Sequence, residues 1–254
     1  MGYASIRPWH SWTLGGEAGY LFSPTVSDPS GTFKPNVPTT IEEFPQDPGV
    51  GVPDQPNYIH AEVSFAGDTR DYRGHPTRGG LYRAVVTQFS DQDTGLFTFR
   101  QYEAEAARFV PLKGPDWILV LHGWLVASDV PTGHEVPFYF LPSLGGSTSL
   151  RGFSNYRFHD QNSALVNAES RWALFQHVDI AAFVDAGNVA GTFSDLNINH
   201  TDVGGGLRLH AEHSTFARLD VAYGAEGWHV YFRTSDVFRL SRITRRVVGI
   251  PFVP

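Results

Sequence analysis

The chain has 254 residues, a formal net charge of −7, 14% aromatic residues, 26 glycines, 17 prolines, one methionine and no cysteine. Without cysteine it can form no disulfide, thiolate metal centre or cysteine nucleophile, and its acidity argues against a nucleic-acid partner, which requires a basic stripe. Aromatics and glycines in this abundance suit alternating strands better than helices.

In chain order, 12–22 reads as a strand with glycines that permit close neighbours. A Pro/Gly/Asp-rich stretch follows over about 24–56, too long for a connection inside a compact domain but expected of the long-loop rim of a membrane barrel. Ile59, Ala61, Val63 and Phe65 then alternate with His60, Glu62 and Ser64, a clean period of two. After a charged turn over 68–80, further strands are predicted at 81–89, 97–110 and 117–127. The segment 102–109 also has helical propensity, but the Pro111 to Pro115 turn and the aromatic ends favour a strand. A second long loop spans about 129–161. Beyond it, 163–174, 178–187, the segment around Gly206 to Glu212, the segment around Arg218 to Tyr223, and 228–238 complete about ten strands.

Alternation alone suits a soluble sandwich as well as a barrel. The polar faces decide, because they carry Glu, Arg, Asp and His on strand after strand, whereas the apolar faces hold small and medium residues with aromatics near strand ends. That pattern is a lipid-facing band around a polar lumen. The expected fold is all-β, an antiparallel transmembrane β-barrel over 1–238, with a basic tail at 239–254. No apolar run approaches the roughly 18–20 residues of a membrane helix. Met1-Gly2-Tyr3-Ala4 leads straight into Arg7-Pro8-Trp9 without the apolar core of a secretory signal, so an exported protein would have more sequence upstream.

Three signals of chemistry are weaker than they look. Trp117 to Trp124, with His122-Gly123, resembles a hydrolase oxyanion turn, but Gly145-Gly146-Ser147-Thr148-Ser149 lacks the closing glycine of a nucleophile elbow and precedes no helix. His210 and His213 are three apart at a strand end, where imidazoles do not converge as they do on a helix. Gly204-Gly205-Gly206 lacks a phosphate-loop lysine and more simply lets a strand bend or a segment pack closely. Neither a metal nor a cofactor is expected.

The remaining constellation is Gly145-Gly146, then Leu150-Arg151-Gly152-Phe153, then Glu169 on one strand and Phe183-Val184-Asp185-Ala186-Gly187 on the next. Phe183, Asp185 and Gly187 share a face, and Glu169 can share it too. This combination resembles the BamA-like outer-membrane insertase and translocator superfamily, of bacterial surface antigen type, over nearly the whole chain from about 12 to 238. The resemblance implies that the loop bearing Arg151 folds into the lumen to meet Asp185, and with it Glu169. It also implies a role for Phe238 as the terminal aromatic of a barrel-assembly signal. Asp68-Thr69-Arg70-Asp71 with Pro76-Thr77-Arg78-Gly79 is similar to a charged turn of such barrels.

The same resemblance implies a barrel of about sixteen strands with periplasmic POTRA domains ahead of it. This chain is therefore expected to be the C-terminal part of a longer protein; the alternative is closure with another chain. The tail beyond Phe238 departs from the family pattern. The implied function is insertion or translocation of proteins at the bacterial outer membrane, without enzymatic chemistry. Its partners would be outer-membrane lipid, client β-barrel or secreted proteins, and other subunits of an assembly machinery. A passive pore or structural barrel is the alternative.

Overall fold

Long strands with bulky apolar side chains on one face and charged or small ones on the other can pair only with like faces aligned. The structure, a computed structural model, describes residues 2–22, 56–212 and 214–234. Eleven strands form one antiparallel sheet: β1 (Gly2–Trp9), β2 (Trp12–Leu21), β3 (Tyr58–Asp68), β4 (Gly79–Asp91), β5 (Phe99–Lys113), β6 (Trp117–Asp129), β9 (Asn162–Phe175), β10 (Val178–Ala190), β11 (His200–Ala211), β12 (Ser214–Gly224) and β13 (Gly227–Arg233). Each pairs with its neighbour in chain order, β6 pairing directly with β9. Between those two, β7 (Ser143–Leu144) and β8 (Phe158–His159) make a small separate ribbon inside the connection 130–161. No α-helix occurs among the described residues.

The sheet has one strand more than the ten expected. The addition is β1, which Arg7-Pro8 disguises: proline cannot donate to a ladder and is tolerated on an edge strand. The register shifts between Ile6 and Trp9, on either side of that proline. Likewise β5 runs through Pro111, which lies opposite Ile118 beside another register shift, so the turn narrows to the residues around Gly114. Most of the 24–56 loop, His213, Phe238 and the 239–254 tail lie outside the described residues.

Polarity is inverted relative to a soluble sheet. On β10, Asp179, Phe183 and Asp185 are buried, while Ile180 and Val184 are 38% and 43% exposed. Val63, Leu121, Val166, Leu207, Val221 and Val230 extend the exposed apolar band across the other strands. That exterior suits hydrocarbon, and the ladder satisfies backbone groups that lipid cannot.

The sheet curls far enough for distant strands to meet across its ends. At the short-turn end, the Thr215 N–H on β12 donates to the Gly74 carbonyl in the β3–β4 turn at 2.9 Å. At the other end, Phe138 to Phe140 form a single 3₁₀ turn whose Phe140 ring packs on Tyr58, Phe89 and Phe99. The first half of the 130–161 connection thus caps β3 to β5 with aromatics, and the second half descends into the interior.

Candidate functional site

The descending segment owes its shape to two glycines. Gly145 and Gly146 have φ of +112° and +93°, a region that L side chains rarely adopt. The Gly146 N–H lies 3.0 and 3.1 Å from the carbonyls of Leu150 and Phe153, and the Gly145 N–H donates to Ser149 Oγ at 2.9 Å. These bonds close residues 145–153 into a compact hook. Leu144, Leu150 and Phe153 bury against Trp124, Val126 and Leu165, anchoring the hook in an apolar pocket on β6 and β9. Gly187 on β10 leaves the room for Leu144.

Held this way, Arg151 enters the wall and is 0% exposed. Its Nε and Nη2 donate to Asp185 Oδ2 and Oδ1 at 2.7 and 2.8 Å, a bidentate pair, and Nη1 donates to Glu169 Oε2 at 2.7 Å. The guanidinium carbon sits 3.3 Å from the centroid of the Phe183 ring. Glu169 and Phe183 face one another across the β9–β10 ladder, and Asp185 faces Asn167, so pairing register alone brings the three wall partners together. Asn167 Nδ2 donates to Asp185 Oδ1 at 2.8 Å and to the Ser149 carbonyl at 2.9 Å, holding carboxylate and hook in one geometry.

The site is larger than the pairing expected from the sequence. Glu169 also accepts Arg171 Nε at 2.7 Å and Arg208 Nη2 at 2.9 Å. Arg208 continues to Asp220 at 2.5 Å, and Arg218 joins Asp220 at 2.7 Å. Asp202, opposite Asp185 in the β10–β11 ladder, completes a cluster of four buried guanidinium groups and four buried carboxylates. Mutual pairing is the condition under which so many ions can share an interior, because a lone buried charge costs several kcal/mol; each guanidinium here meets Glu169, Asp185 or Asp220.

The hook reaches the last strands too. Arg218 Nη2 donates to the Ser147 carbonyl at 2.6 Å, Arg233 Nε to Ser147 Oγ at 3.0 Å, and Tyr231 Oη to the Phe153 carbonyl at 2.8 Å. Gly152 packs where a Cβ would overlap the Asp202 side chain and the Gly224 backbone. Above it, Ser154 and Arg157 clasp Glu226 in the β12–β13 turn. Glu226 is held down at about 2 from its ordinary 4.5, first by the Ser154 N–H and then by the Arg157 guanidinium.

Leu150, Arg151, Gly152, Phe153, Glu169, Phe183, Asp185 and Gly187 therefore meet in one cluster, whereas Phe238 is not among the described residues. Arg171, Arg208, Arg218, Asp202 and Asp220 join it from outside the motif, although all stand on polar faces of period-two alternation; Asp202 is in phase with Arg208 on β11 but precedes the segment read as strand from the sequence. Gly204 and Gly206 do admit close packing: a Cβ at Gly204 would overlap the Phe183 ring, and one at Gly206 would overlap Asp220. His122 lies mid-strand on β6 between Asn167 Oδ1 at 2.7 Å and Glu105 Oε1 at 2.9 Å. His210 stacks on His75.

The profile of the Omp85 superfamily domain matches residues 46–238. No curated protein matches the chain in sequence. Among solved structures, the fold is similar to that of BamA from Haemophilus ducreyi lacking POTRA domains 1-3, with a TM-score of 0.66 at 16% identity. The match covers 91% of this chain and 52% of that one, so the chain spans about half the length of that structure.

Proposed function

Because this chain belongs to the Omp85 superfamily and forms part of an outer-membrane β-barrel, we propose that its arginine hook is the internal latch of a barrel that inserts or translocates proteins at that membrane. One observation carries this reading. Fully buried Arg151 ties the hook to β9 and β10, while the same hook grips β12 and β13. A connection held at both places governs how the last strands sit against the wall. Among the described residues, β13 pairs only with β12, and its other edge carries N–H and C=O groups that an extended client segment can complete by strand addition.

Clients under this reading are β-barrel or secreted proteins, with other assembly subunits as partners and outer-membrane lipid as the surrounding phase. No covalent bond changes in strand addition, so the role calls for no catalytic residue. A passive pore or structural barrel is the second reading, favoured by the mutual pairing of the cluster's buried ions, which suits a purely stabilising plug.

The test uses cells whose sole copy of the protein carries Arg151→Ala, in which heat-modifiable electrophoresis reports folded outer-membrane proteins and surface blots report exported ones. Assembly function predicts a several-fold fall in one of these client classes while the variant itself still reaches the membrane. Unchanged levels of both, with the variant folded, would establish the passive barrel instead.

A further inference from the structure

Away from the hook, at the short-turn end, three ligand-type side chains from separate parts of the chain converge. His75 comes from the β3–β4 turn, Asp179 from the start of β10 and His210 from the end of β11. One donor atom from each lies within 4.8 Å of the others. His75 Nε2 is 3.4 Å from Asp179 Oδ2, and His210 Nε2 is 3.1 Å from Oδ1. Four-coordinate zinc with nitrogen and oxygen ligands at about 2.0–2.1 Å spaces neighbouring donors roughly 3.3 Å apart, so both gaps are of the right size. All three side chains are about nine-tenths buried; the two imidazoles stack at 3.9 Å between centroids with nearly parallel planes, so one ring must turn about its side-chain torsions for both nitrogens to meet a single ion.

The outer nitrogens decide what the inner ones can do. His210 Nδ1 is 3.0 Å from the Ala211 carbonyl, which can only accept, so Nδ1 carries the hydrogen. With that proton on Nδ1, Nε2 faces a carboxylate oxygen, and either a second proton or a metal ion between the two can join them. His75 is oriented the same way, with Nδ1 3.2 Å from Thr215 Oγ1 and Nε2 toward the other carboxylate oxygen. An imidazole fixed by a carbonyl or hydroxyl on its far nitrogen is the usual support of a metal-bound histidine.

We propose that His75, Asp179 and His210 form a binding site for a divalent transition-metal ion of the zinc class, with water completing its coordination. Two imidazoles and one carboxylate suit zinc better than magnesium or calcium, which prefer all-oxygen ligands. The ion would tie the β3–β4 turn to β10 and β11 across the barrel end, reinforcing the single Thr215 to Gly74 backbone bond. The site is independent of the hook and of any assembly activity.

The experiment uses purified protein in detergent without an affinity tag. Cobalt(II) is titrated in as a spectroscopic probe and then displaced with zinc chloride. Expected is a saturable one-to-one visible spectrum of a low-coordinate site, lost on zinc addition and weakened more than tenfold in His75→Gln, Asp179→Asn and His210→Ala. Thr215→Val, which removes only the hydroxyl that orients His75, weakens binding by about 10–100-fold. His159→Ala, at the opposite end, leaves it unchanged. Zinc also raises the unfolding temperature of wild type in proportion to the logarithm of its concentration, but not that of His75→Gln, which alters a turn residue and leaves the wall intact. No saturable spectrum, or a spectrum indifferent to all three ligand substitutions, overturns the site and leaves a proton shared between histidine and carboxylate.

Discussion

Arg151 lies over Phe183, its guanidinium carbon 3.3 Å from the ring centroid, while its N–H groups are spent on Asp185 and Glu169. One planar cation thus meets a ring and two carboxylates at once. An ammonium group has neither a flat face nor a fork of donors, so the site is specific for arginine.

Arg151→Ala should lower the unfolding free energy by about 3–5 kcal/mol, because it strands the buried Asp185 carboxylate. Arg151→Lys should recover only a minor part of this. Urea unfolding in detergent micelles, followed by tryptophan fluorescence, measures both. A lysine variant as stable as wild type would refute the two-sided use of the guanidinium.

Glu169 faces three guanidinium groups and Asp220 two. Neutralising Glu169 leaves more unbalanced positive charge, so Glu169→Gln should destabilise more than Asp220→Asn in the same unfolding assay. The reverse order would mean that Arg171 or Arg208 is chiefly balanced elsewhere.

Steric fit makes a separate prediction. A Cβ at Gly204 meets the Phe183 ring and the Val221 carbonyl, whereas one at Gly123 lies 3.9 Å from the Leu165 carbonyl, ordinary contact. Gly204→Ala should cost roughly 1–3 kcal/mol through overpacking, and Gly123→Ala should stay within about 0.5 kcal/mol of wild type. Equal stability of the two variants would remove Gly204 as the seat of Phe183.

The Glu226 clasp should depend on acid. Its folded-state carboxyl titrates at about 2 against an ordinary 4.5. Its stabilisation is therefore complete above the ordinary value and is lost as pH falls through the folded one. Hydrogen exchange at the Ser154 amide should speed up as pH drops from about 4.5 to about 2, beyond the intrinsic pH dependence of exchange. Glu226→Gln should abolish that extra slope. If the slope persists in the glutamine variant, another carboxylate holds the segment.

Much of the site was legible because a strand has a period of two. Phe183, Asp185 and Gly187 share one face by spacing alone, Glu169 can share it, and the hook is recognisable through the family resemblance that Gly145, Gly146 and Arg151 help to carry. What the alternation could not convey is how many partners each carboxylate has. Arg171 is two residues from Glu169 on the same strand, yet Arg208 reaches Glu169 from β11, two strands away. That contact depends on sheet curvature and side-chain length, which leave no mark on periodicity. β1 is hidden in the sequence for a local reason, a proline inside an edge strand.

Alternating polarity with charge on strand after strand of one face points, from the sequence alone, to an antiparallel barrel wall with charge on the inside, because strand faces are a local property of the chain. The meeting of His75 with Asp179 and His210 is different in kind. His75 is separated from His210 by most of the sheet, and no spacing rule relates a turn after β3 to the end of β11. Only the curl of the sheet, set by strand twist accumulated over many pairs, carries that turn across the barrel end and makes three distant residues neighbours.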